Sequence, residues 1–70
     1  MQRREISSTM IRSIGHDSGN SILEVEFLSG AIWQYYDFSE AEWYAFDGAE
    51  SHGKYFHKNI KGSYREGQVG

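Results

Sequence analysis

The run Leu23-Glu24-Val25-Glu26-Phe27 alternates apolar and acidic residues without a break. Successive side chains of an extended strand point to opposite faces. The run therefore puts Leu23, Val25 and Phe27 on one side and two carboxylates on the other. A helix would scatter both sets around its circumference. Residues 22–28 are thus predicted as a half-buried antiparallel strand, for which the rest of the chain must supply neighbours and a cover.

Neighbours lie on both sides in sequence. Residues 9–16 carry Met10, Ile11 and Ile14 and read as a preceding strand, closed by the turn formers Asp17-Ser18-Gly19-Asn20. After Ser29-Gly30, residues 31–38 form a third, aromatic-rich strand. The length of the loop between the second and third strands decides which way the rings point. A two-residue loop, Ser29-Gly30, sets Phe27 opposite Ile32 and leaves Trp33 and Tyr35 on the solvent face with the acids. A three-residue loop, Leu28-Ser29-Gly30, sets Phe27 opposite Ala31 and turns Trp33 and Tyr35 over Val25 and Leu23. Glycine at the last loop position and the size of the two rings favour the second.

The cover is helical. Ser39 and Glu42 form the S-x-x-E of a capping box, and Phe38 ahead of the cap is placed to staple onto Trp43. Trp43, Phe46 and Ala49 then make a stripe toward the sheet, ending near Glu50. A second helix starts at Ser51 as cap and buries Phe56 and Ile60, with Tyr55 nearby. Lys58 and Lys61 lie near its C-terminus, where cations suit the helix dipole, and Gly62 stops it. The expected fold is α+β: a three-stranded antiparallel meander followed by two short helices packed on one face, β-β-β-α-α. Its core is Leu23, Val25, Phe27, Trp43, Phe46, Phe56 and Ile60. One domain is expected over residues 8–64, with flexible termini at 1–7 and 65–70.

A chain of 70 residues with no cysteine has neither disulfides nor a thiolate metal site to hold it, so aromatic bulk must close the core. Two Trp, five Tyr and four Phe supply it. No segment approaches the roughly 20 apolar residues of a membrane span. The charged N-terminus leads into no apolar stretch, and a cytoplasmic location is the expectation.

Net charge is −3, but it is unevenly placed. Residues 37–50 hold Asp37, Glu40, Glu42, Asp47 and Glu50 without a Lys or Arg. Residues 51–65 hold Lys54, Lys58, Lys61 and Arg65, with two histidines and no acid. The total argues against indiscriminate nucleic-acid binding, yet the second helix alone could present a basic patch.

No catalytic apparatus is visible. His52 and His57 point roughly 140° apart on a helix and cannot hold one metal from one face. Neither has an acid beside it, and Ser51-His52 by adjacency alone makes no nucleophile and base. There is no phosphate-binding glycine loop or dinucleotide fingerprint, so no cofactor is expected. Binding fits the residues better. Ser51, Gly53 and Lys54 would bring backbone N–H groups, a hydroxyl and an ammonium together at a helix start, a combination suited to phosphate. Gly53 would either admit a ligand or make room for a neighbouring ring. Lys54, Lys58 and Lys61 are spaced i, i+4, i+7, with Tyr55 among them, and Trp33 and Tyr35 are further candidates for stacking on bases. The same lysines would equally serve as a solvated face that balances the acidic first helix.

Two motifs together, Leu23-x-Val25-x-Phe27-x-x-Gly30-x-x-Trp33-x-Tyr35 and Ser51-x-Gly53-x-Tyr55-Phe56-x-x-x-Ile60-x-x-x-Tyr64, resemble the KTSC domain. The resemblance covers residues 8–64, and the second motif is its more specific part. That family occurs at the C-terminus of some lysyl-tRNA synthetases and as short stand-alone proteins of bacteria and phages. Its central Tyr-x-Tyr stands here as Trp33-Gln34-Tyr35, and the aromatic after its first strand is His16. The resemblance implies RNA as a partner. A protein partner is the alternative, with this acidic domain as a phage-encoded factor acting on a host protein, and a small phosphate ligand is a third.

Overall fold

A computed structural model describes all 70 residues. The alternating run forms β3 (Ile22–Phe27), flanked by β2 (Ile11–Asp17) and β4 (Ile32–Tyr36) in an antiparallel meander. Val25 faces Trp33 and Leu23 faces Tyr35, the register of the three-residue loop. Gly30 closes that loop with φ 98°, a left-handed conformation that a side chain would oppose.

The sheet has five strands rather than the expected three. β1 (Arg4–Glu5) pairs with β2, and β5 (Glu66–Gln68) pairs with β4, giving the order β1-β2-β3-β4-β5. Both added strands fall in the segments expected to be flexible. They contain two and three residues, nearly all polar, so no apolar alternation marks them. Their pairing is provided by the edges of the meander.

Ile11 and Ile14 both point into the core although three residues apart, which a regular strand forbids. A bulge at Arg12 resolves the conflict: Ile11 pairs with Phe27 and Ser13 with Glu26, leaving Arg12 unopposed and exposed.

Helix α1 (Glu40–Asp47) starts as expected, with Ser39 and Glu42 forming both bonds of the capping box. The hydrophobic staple is different. Phe38 packs edge-on to His16 (6.0 Å), and His16 stacks on Trp43 (5.5 Å, 8° between planes), so the imidazole stands between the two expected partners. Nε2 of His16 lies 2.7 Å from the Phe38 carbonyl and fixes the ring. The second helix has two parts. Helix α2 (His52–Tyr55) runs into a π turn (Phe56–Ile60), closed by Lys61 N–H donating to Phe56 O at 2.9 Å. Both helices cover one face of the sheet over Ile11, Ile14, Leu23, Val25, Tyr35, Phe38, Phe46, Phe56 and Ile60. Phe27 and Trp43, expected within the core, pack at its margin.

The opposite face is not simply solvated. Glu24 is only 8% exposed. It pairs with Arg3 and accepts from Gln34 Nε2 at 2.9 Å. Arg3 Nε donates to Ser13 Oγ (3.0 Å), which donates to Glu26 (2.9 Å). Tyr36 OH donates to Gln34 (3.3 Å), and Arg65 lies over the Tyr36 ring at 5.3 Å. A polar ladder thus ties the N-terminal segment across β2, β3 and β4 to the last residues before β5.

Burial pushes the Glu24 carboxyl up, but hydrogen bonds from Gln34 and Arg3, with the Arg3 charge, outweigh it and hold the group below its ordinary 4.5. A depressed carboxylate stabilises the fold above its unfolded value and loses that contribution as pH falls through the folded one. Amide protection of β1 is therefore expected to be the same at pH 7 and 6 and to fall below pH 4.5, ahead of the core strands. Hydrogen exchange followed by NMR at graded pH checks this, and β1 protection that persists to pH 2 would contradict it.

Candidate functional site

Ser51 is extended, and its Oγ accepts from the Lys54 N–H at 3.3 Å, so the expected cap forms. The N–H groups of His52 and Gly53 precede the first intrahelical bond and remain available to other acceptors. No ring fills the space beside Gly53. A Cβ there would stand 3.6 Å from Ser8 Oγ and 3.8 Å from Met10 Cε, ordinary contact distances.

Lys54, Lys58 and Lys61 are all exposed. The ion pairs of the protein join Arg3 to Glu24 and Glu26, Arg4 to Asp47, and Arg65 to Asp37. Every one uses an arginine, so the three ammonium groups have no carboxylate partner. They do not share one helix face as the spacing suggested. Lys54 and Lys58 border a shallow depression with Tyr55 and Asn59. At Lys61 the backbone has left the helix (φ −59°, ψ 122°), and this residue borders a separate groove with Phe27, Trp33, Tyr35 and Phe56. The π turn is the cause, because it ends the helix before the i+7 position is reached.

A third depression connects the two. It is lined by Ser7, Ser8, Thr9, Ser51, Gly53 and Lys54, with His52 and His57. It shares Glu50, Ser51 and Lys54 with the first depression, and Met10 and His57 with the aromatic groove. The result is a continuous band running from Lys58 past Lys54 and the hydroxyls to Lys61 and Trp33. Ser7, Ser8 and Thr9 carry no sequence signal for this role. They join the band because the segment before β2 passes beside the start of α2.

The aromatic candidates separate. Tyr35 is 3% exposed with its ring edge-on to Phe56 at 5.5 Å, so it belongs to the core. Burial, with the Glu66 charge nearby, pushes its phenol far above the ordinary range. Tyr55 is half-buried against Phe46 at 5.4 Å. Trp33 is half-buried as well and has no aromatic partner.

The histidines do not converge. Nε2 of His52 lies 3.0 Å from the Asp47 carbonyl, whereas His57 is exposed with its ring edge-on to Phe56. No group of three or more His, Cys, Asp or Glu side chains is placed to hold a metal ion. No helix is long and apolar enough to cross a membrane.

Comparison with known proteins points one way. The sequence profile of the KTSC domain matches residues 7–64. An uncharacterised protein of Stutzerimonas stutzeri is 38% identical over 61 residues, covering 87% of this chain and 86% of that protein. A lysine–tRNA ligase of Trichormus variabilis is 33% identical over 61 residues, which span 11% of the ligase. The crystal structure of a KTSC domain protein from Yersinia pestis superposes with a TM-score of 0.95 at 36% identity, over 99% of this chain and 97% of that one.

Proposed function

The chain belongs to the KTSC domain family, and from that premise we propose that it is a non-catalytic module that binds single-stranded RNA along the band from Lys58 to Trp33. The observation that carries this reading is the set of three exposed lysines without carboxylate partners, ranged along joined depressions with an aromatic ring at one end. Cations that no carboxylate neutralises attract phosphates, and rings beside them stack on bases whatever the sequence. The similarity to a lysine–tRNA ligase is consistent with an RNA partner. The net charge of −3 of the whole chain confines the attraction to this band and keeps duplex nucleic acid a poor ligand.

Binding of a short labelled RNA should weaken with salt at a log–log slope near −2, from about three phosphate contacts at roughly 0.7 each. Lys54→Glu with Lys58→Glu should weaken it about tenfold or more at low salt and flatten the slope by about 1.4, two contacts at roughly 0.7 each. Fluorescence anisotropy at two salt concentrations measures both, with circular dichroism to verify folding. Unchanged affinity in a folded double variant would sink the proposal.

A second reading has its own observation. Tyr44 is 64% exposed on the acidic helix α1, the sort of aromatic that anchors a protein partner. Binding through that surface would show weak salt dependence and would be lost in Tyr44→Ala, with the lysine variants unaffected.

A further inference from the structure

The groove beside Lys61 has a composition that differs from the rest of the band. Its floor is Met10, Phe27, Trp33 and Phe56, and its rim carries one cation, Lys61, and one anion, Glu66. Its volume is about 300 Å³, at the small end of ligand sites. The other rings of this floor are already engaged: Phe27 and Phe56 meet edge to face at 5.4 Å. Trp33 is not. It pairs with no ring, and its indole N–H donates to no protein acceptor, whereas Trp43 is stacked under His16. A partly buried indole that lines a groove, pairs with no ring and keeps a free N–H donor is a platform without an occupant.

We propose that this groove receives a single unstacked nucleobase that bears an exocyclic amine, stacked on Trp33, with its flanking phosphate at Lys61 and its amine donating to Glu66. This rests on the RNA-binding reading and names what one end of the band selects. The charges decide the occupant. An uncharged aromatic or an apolar side chain would leave both rim charges unused. A nucleotide answers both, because its phosphate meets the ammonium and its amine meets the carboxylate. Adenine, cytosine and guanine carry that amine, and uracil does not. His57 lies where the groove joins the hydroxyl-lined depression, so the strand can continue from the base toward Lys54, with Glu50 the one carboxylate on that depression.

Trp43→Phe leaves Trp33 as the single tryptophan, and its emission reports on the groove. The probes are oligo(C), oligo(A) and oligo(U) of six nucleotides, with CMP and UMP as the mononucleotides. Oligo(C) and oligo(A) are expected to quench Trp33 and to bind about tenfold more tightly than oligo(U), with Glu66→Ala abolishing the difference. In the chain that keeps Trp43, Trp33→Leu should weaken oligo(C) binding about tenfold, and Trp33→Phe should retain most of it. Salt-dependent binding of every oligonucleotide with unchanged Trp33 emission and no base preference would overturn the groove and leave the lysine band standing. Quenching by CMP but by no oligonucleotide would uphold the base site for a free nucleotide and overturn strand binding. Silence from all five probes would overturn both.

Discussion

Phe56→Ala is expected to cost the protein about 3–5 kcal/mol, a large share of its stability. Phe56 is 4% exposed, and its ring meets Phe27 on β3 and Tyr35 on β4 edge to face at 5.4 and 5.5 Å. It also opens the π turn, and with Ile60 at the end of that turn it docks the second helix on the sheet. Truncating a buried phenylalanine costs about 3–5 kcal/mol. A domain of this length has about 4–10 kcal/mol in total, so from about a third to all of its stability goes with one ring. The melting temperature should fall by at least about 12 °C, since each kcal/mol shifts a small domain by about 4–8 °C. Urea and thermal denaturation followed by circular dichroism measure the loss. A cost under 1 kcal/mol would mean that the helix is not held to the sheet through this ring.

Gly15→Ala is expected to release the N-terminal strand. A Cβ on Gly15 would stand 2.4 Å from the backbone oxygen of Gln2, with Arg3 Cγ and Cα at 3.1 and 3.2 Å. The nearest atom is main chain, so no rotamer change relieves the clash, and the crossing segment must move. The pairings of Arg4 with Ile14 and Glu5 with Ser13 go with it, as does the contact of Arg3 with Glu24. Forced packing of this kind costs about 1–3 kcal/mol. The damage should be local: hydrogen exchange of Glu5 and Ile6 accelerates while α1 keeps its protection. Deleting residues 1–5 provides the control. The deletion and Gly15→Ala should each destabilise the protein and together cost little more than either alone, because they remove one contact. Additive costs would mean that Gly15 matters for some other reason.

Both predictions concern parts of the molecule that are unequally legible in its sequence. The meander and its register follow from local rules. Alternation at Leu23–Phe27 fixed the faces of β3, and Gly30 at the end of a three-residue loop fixed the parity of β4, and with it the burial of Tyr35. The caps at Ser39 and Ser51 are likewise local, since each hydroxyl bonds a backbone N–H three residues on. The lysines of the candidate site were visible as residues, as was Trp33.

Tertiary contact decided the rest. β1 and β5 are strands only because β2 and β4 offer unpaired edges; Arg4-Glu5 and Glu66-Gly67-Gln68 have no period of their own to announce them. Glu24 reads as a solvated acid and is instead enclosed, because Arg3 crosses over Gly15 from outside the meander. His16 carries no ring-stacking signal until Trp43 arrives on a helix that begins some 24 residues later. Lys61 left the face of Lys54 and Lys58 because the chain makes a π turn, which no local pattern marks. Sequence spacing assigns a side chain to a face of its own element. Which faces then meet, and so whether three lysines and one tryptophan lie along a single band, depends on how separate elements pack.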